Sequence, residues 1–178
     1  MRDPEFPVRS FVAMGLGTKQ TEEGFEALLN LIETDSDPNV IAEAANSLAK
    51  FGPQAMSHLV QLFEQESHWL IRQSIFAAME GTHYPEILLK FCRWGFEGDD
   101  PVVKQAAIAN LGQLHETPQA AEALAILCQA AIEDDGGMRA QAARTLRHFD
   151  HPQATAALLE LRQDSDHRVV GATLEGLV

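Results

Sequence analysis

One short phrase returns six times along this chain of 178 residues, and that period limits what the chain can fold into more tightly than anything else in it. Its apolar anchors are Val8, Val40, Ile71, Val103, Met138 and Val169, spaced 32, 31, 32, 35 and 31 residues apart. Eight residues after each anchor stands another apolar residue: Leu16, Leu48, Met79, Leu111, Leu146 and Leu177. Midway lie Val12, Ala44, Ile75, Ala107, Ala142 and Thr173, so positions i, i+4 and i+8 make one largely apolar stripe on a helix. Three residues before each anchor stand Glu5, Asp37, His68, Asp100, Asp135 and Asp166, where an N-cap satisfies the free amides of a first turn.

Between the phrases run second helical patterns, among them GFEALLNLIE (24–33), AMSHLVQLFE (55–64), AEALAILCQAA (121–131) and ATAALLELRQ (154–163). Breakers separate them: Gly17, Gly52-Pro53, Gly81 with Pro85, Gly112 with Pro118, and Pro152. Nothing alternates as a strand does. A single helical pair cannot bury its own stripe, so the pairs must stack. The expected fold is all-α, an α-α superhelix (solenoid) of about five and a half helical pairs, built as one domain over 1–178. The chain opens inside a first groove helix and closes on Leu174, Leu177 and Val178 without a polar cap, which suggests a piece of a longer array or end-to-end self-association. The opening MRDPEF reads as native sequence or a cloning scar.

The phrases SDPNVIAEAANSLAKFG (36–52), DDPVVKQAAIANLGQL (99–114) and DGGMRAQAARTLRHF (135–149) resemble HEAT repeats of the phycobilin-lyase-like class, with its pattern Asp-Pro-x-Val-Arg-x-x-Ala-x-x-Ala-Leu-Gly. The likeness spans essentially the whole chain. The third repeat, SHWLIRQSIFAAMEG (67–81), departs from it by carrying His68 for the acid and adding Trp69. The resemblance implies that the helix starting at each acid lines a concave groove and that its partner covers the convex side. Positions two, three, six and seven after each anchor then face the groove, giving an amide-rich surface that includes Asn46, Gln73, Gln105 and Asn110.

Composition excludes several functions. With 26 acidic against 13 basic residues the net charge is −13, which repels phosphate backbones and anionic lipid, so neither nucleic acid nor membrane is an expected partner. No apolar run approaches the ~18 residues of a membrane span, and the two cysteines, Cys92 and Cys128, lie in apolar stretches, which suits the cytoplasm. No phosphate loop, GxSxG elbow or zinc-ligand spacing is present, so no catalytic residue, metal site or cofactor is assigned. His83, His115, Asp150 and His151 recur in equivalent turns, with HFDH (148–151) the densest group, and Arg93 beside Cys92 raises the question of a thiolate. A basic residue follows the anchor as Arg9, Arg72, Lys104 and Arg139, which is either an anion ladder or a set of pairs with acids of neighbouring turns.

Seven of the twelve aromatic residues fall within 63–96, and Trp69 and Trp94 stand near helix ends where a ring stays partly open to a partner. The expected function is a non-enzymatic scaffold holding a protein in its concave groove. Trp69 and Trp94 would anchor it, Asn46, Gln73, Gln105 and Asn110 would hydrogen-bond it, and Arg72 and Lys104 would brace the groove or meet its acids. The alternative that the resemblance implies is a phycobilin lyase subunit or phycobilisome-degradation factor, handling an open-chain tetrapyrrole on a phycobiliprotein partner.

Overall fold

A computed structural model describes residues 3–81 and 83–175. Among them are eleven α-helices, one 3-10 turn and no strand: α1 (Phe6–Lys19), α2 (Glu22–Thr34), α3 (Pro38–Ala49), α4 (Pro53–Gln65), α5 (Trp69–Ala78), α6 (Pro85–Glu97), α7 (Pro101–Asn110), the 3-10 turn Leu111–Leu114, α8 (Ala120–Ala130), α9 (Gly136–Leu146), α10 (Pro152–Leu161) and α11 (His167–Leu174). The fold is the all-α array of helical pairs that the period predicts. Each phrase forms an odd-numbered helix, α1 to α11 in turn. Leu177 and Val178 lie outside the described residues, as do Met1 and Arg2.

The chain forms two compact units, Met1–Glu80 and Gly81–Val178. In the first, α1 packs on α3 and α3 on α5, with α2 and α4 covering the seams. In the second, α7 packs on α9 and α9 on α11, and α6, α8 and α10 cover them. The anchors form the cores. Val40, Ala44, Leu48, Ile71, Ile75 and Met79 are buried in the first unit beside Leu28, Leu59 and Phe63. Val103, Ala107, Leu111, Met138, Ala142, Leu146 and Val169 are buried in the second beside Leu88, Phe91 and Leu127. Each large apolar side chain taken from water contributes about 1.5–3 kcal/mol.

The residues three before the anchors are all N-caps. Asp37, Asp100, Asp135 and Asp166 each accept a first-turn backbone N–H through the side chain, and His68 does so through Nδ1 from the Leu70 amide. Glu5 occupies the same place on α1 without a side-chain cap. Helix α1 departs from the others in its burial. Val8 and Val12, the counterparts of fully buried Val40 and Ala44, are 43% and 37% exposed, and α1 instead buries Ala13 and Gly17 against its neighbours. The stripe anchored at Val8 is therefore not a core stripe, because no described helix packs on that side of α1.

Gly17 sets the approach of α1 to α3. A Cβ there would stand 2.6 Å from Ser47 Cβ and 2.9 Å from its Cα, a backbone atom that cannot rotate away. Alanine normally stabilises a helix interior by about 1 kcal/mol relative to glycine. Gly17→Ala is expected to do the reverse, costing ~1 kcal/mol net in urea unfolding as the two helices are pushed apart.

Candidate functional site

The recurrent base after each anchor repeats one geometry. Arg9 donates from Nε and Nη2 to both oxygens of Asp35, at 2.7 and 3.0 Å, and from Nη1 to the carbonyls of Asp3 and Pro4. Arg139 donates in the same way to Asp164, at 2.7 and 3.0 Å, and to the carbonyls of Glu133 and Asp134. Each arginine thus ties the loop entering its own helix to the acid two residues before the next N-cap. The tied acids in turn accept the backbone N–H of Asp37 and Asp166. The guanidinium hydrogen bonds hold the Asp35 and Asp164 carboxyls below the usual carboxylate range. Asp166, bound by the Arg168 side chain and amide, is lowered to about 2.

Arg72 keeps half of the pattern: Nε donates to the Glu66 carbonyl at 2.7 Å, and the guanidinium lies 4.9 Å from the Phe63 ring centroid. Lys104 is held more loosely, 3.8 Å from Glu133 and 5.4 Å from the Phe96 ring centroid. Arg9, Arg72 and Arg139 thus brace loops of the chain itself.

The amides divide between two roles. In the first unit a cleft of about 400 Å³ runs between α3 and α5, lined by Asn39, Ala42, Glu43, Leu70, Gln73, Ser74 and Ala77. Ser74 Oγ donates across it to the Ala42 carbonyl at 2.8 Å, which fixes the register of the two helices. Within this lining Glu43, Gln73, Ser74 and Ala77 stand three, two, three and six residues after their anchors. In the second unit a cleft of about 360 Å³ between α7 and α9 is lined by Asp99, Pro101, Val102, Lys104, Gln105, Glu133, Asp135 and Met138. Asn110 is used by the chain itself: it donates to the Ala106 carbonyl and accepts from Gln113 Nε2, tying the end of α7 to the 3-10 turn. Asn46 is half-buried on α3, outside the lining of the α3–α5 cleft.

The aromatic cluster also divides. Phe63, Phe76 and Phe91 are fully buried, with Phe63 and Phe76 edge to face at 5.4 Å. Trp69 is 42% exposed on the first turn of α5, stacked against His68. Trp94 is half-buried with Lys90 Nζ 4.5 Å from its ring centroid.

Neither thiol is poised as a nucleophile. Burial pushes the Cys92 thiol far up and the Cys128 thiol up, and Arg93 is turned to Glu122 in an ion pair. His115 and His148 lie with ring centroids 6.0 Å apart, and His115 Nδ1 meets the Gly112 carbonyl. No three metal-binding side chains converge among the described residues. Among those residues, too, no helix is long and apolar enough to cross a membrane.

Comparison with known proteins agrees with this geometry. The chain resembles two solved structures in fold. One is an engineered protein, 17% identical with a TM-score of 0.54, covering 99% of this chain and 91% of that one. The other comes from work on microtubule plus-end tracking by XMAP215, CLIP-170 and EB1, 19% identical with a TM-score of 0.55, covering 98% and 85%. Human deoxyhypusine hydroxylase in complex with glycerol is more distant in shape, 16% identical with a TM-score of 0.45, covering 98% and 80%. No curated protein matches the sequence significantly. The family profile described as HEAT repeats matches residues 1–80 and 89–177, nearly the same division as the two compact units, and selects no narrower class. Matched over almost its entire length, the chain belongs to the HEAT-repeat family.

Proposed function

We propose that this protein is a non-enzymatic interaction scaffold that receives segments of a partner protein in the clefts between successive odd-numbered helices. The observation that carries this reading is the contrast between two side-chain sets at neighbouring positions. The arginines after the anchors are consumed by loops of the chain itself, whereas Gln73 and Gln105, the next residues along in their repeats, are exposed on cleft walls. Exposed amides beside apolar Leu70 and Val102 supply both hydrogen bonds and contact area to a bound chain. Trp69, at the head of the α3–α5 cleft's second helix, adds an aromatic anchor of the type that dominates interface energies. Lys104, held at 3.8 Å from Glu133 and partly open to solvent, is free to exchange that acid for one on the partner.

The test uses partners recovered with the intact chain and then measured one at a time by calorimetry. Trp69→Ala combined with Gln73→Ala is expected to weaken binding at least tenfold, since an interface anchor contributes about 2 kcal/mol or more. Unchanged affinity for every partner would overturn the assignment.

A further inference from the structure

We infer that the bare side of α1 pairs with the same side of a second copy of this chain, in an antiparallel helix-to-helix contact on a twofold axis. At 100° per residue Val8, Phe11, Val12 and Gly15 fall on one stripe, opposite the Ala13 and Gly17 face that meets the rest of the unit. Phe11 is 69% exposed, the largest exposure of any aromatic side chain among the exposed apolar residues, and Met14, 44% exposed, lies to one side of the patch. The counterparts of Val8 and Val12 in α3 are fully buried under a neighbouring helix, so this surface has the composition of a packing face.

The choice of a second copy rests on self-complementarity. Phe11 is a knob, and Gly15, one turn further along the same stripe, carries no side chain and opens onto free space, where a Cβ would meet nothing within 4 Å. An antiparallel crossing at the level of Ala13, midway between them, seats Phe11 of each copy over Gly15 of the other, which is the reciprocal relation a twofold contact requires. The charges agree with that direction and not with a parallel one. The stripe itself carries no acid, and Arg9 is turned away to Asp35. Antiparallel packing brings Lys19, at the C-terminal end of α1, to the end of the other copy's α1 that carries Asp3 and Glu5. It also sets the two helix dipoles head to tail.

The apolar area is roughly 400 Å² per copy, on the scale of the largest patches of soluble monomers, and roughly 800 Å² for the pair. That is below the ~1,200 Å² of stable assemblies. The contact is therefore weak and concentration-dependent, with a dissociation constant of about 10–100 μM.

Sedimentation velocity of the intact chain from about 5 to about 500 μM, a range that brackets this constant, reads it directly. The wild type is expected to shift from its 19.5 kDa monomer toward twice that mass. Phe11→Asp and Gly15→Met should both remain monomeric throughout. Gly15→Met is the decisive variant, because it occupies the place Phe11 of the other copy would take, starts from a Cβ that meets nothing in its own chain, and raises helix propensity, so its melting temperature should be equal or higher. A wild type that stays monomeric at the top of the range overturns the proposal and leaves the face to another occupant. A Gly15→Met chain that dimerises as the wild type does overturns it equally, by placing the contact elsewhere.

Discussion

Replacing Phe63 by alanine is expected to remove about 3–5 kcal/mol of stability, a large part of what holds a domain of this size folded. Phe63 is fully buried on α4, edge to face with Phe76 on α5, and its ring also lies against the Arg72 guanidinium. Truncation deletes the apolar area and the ring pair with Phe76, and it leaves a void in the core of the first unit. It also takes away one of the two contacts that hold Arg72 over the loop entering α5. Urea unfolding of Phe63→Ala against Phe63→Leu measures the difference. Leucine keeps most of the volume and should recover over half of the loss. An alanine variant within about 1 kcal/mol of wild type would show that the aromatic cluster is not a core element.

The second large effect belongs to the arginine ties. Arg139→Ala is expected to cost about 2 kcal/mol at pH 7, since it breaks two charge-assisted bonds to Asp164 and frees two loop carbonyls. The pair is mostly shielded, with the two side chains 17% and 11% exposed, so it exceeds an ordinary surface ion pair. Its pH dependence has a definite sign. The folded Asp164 carboxyl lies below its usual range, so its stabilisation is complete above the unfolded value of about 4 and is lost as pH falls below that. The cost of Arg139→Ala should therefore be full at neutral pH and shrink as pH falls below about 4 and through the lowered folded value, where the wild type loses the same contribution. Asp164→Asn placed on top of Arg139→Ala should add little, because the two share one interaction. A cost independent of pH would place the effect in the carbonyl contacts alone.

The repeat made most of this fold legible. The period located every odd-numbered helix, and the residue three before each anchor located its N-cap, including His68, where an imidazole nitrogen replaces a carboxylate oxygen. The groove rule pointed to Gln73, Ser74 and Gln105, which do line clefts. Other features were not legible, for identifiable reasons. Apolar spacing shows that Val8 and Val12 share a face, but whether a helix covers that face depends on a neighbour, and no sequence pattern within α1 supplies one. Asn110 sits at a groove position by count, yet α7 ends there and passes into a 3-10 turn, so its amide is turned to Ala106 and Gln113. The targets of Arg72 and Arg139 include backbone carbonyls six residues upstream, and every residue type presents a carbonyl. A signal was nonetheless present: an acid two residues before the next cap accompanies Arg9, Lys104 and Arg139, as Asp35, Glu133 and Asp164.

The scaffold reading places the partner in the clefts between odd-numbered helices, and site-specific photo-cross-linking tests that placement most directly. A photoreactive residue is introduced singly at Gln73 or Gln105 on the cleft walls, and at Gln129 on α8 or Leu159 on α10 as exposed positions of even-numbered helices. Irradiation with a purified partner is expected to give covalent adducts from Gln73 and Gln105 and none above background from Gln129 and Leu159. Adducts from the even-numbered helices, with the cleft positions silent, would contradict it.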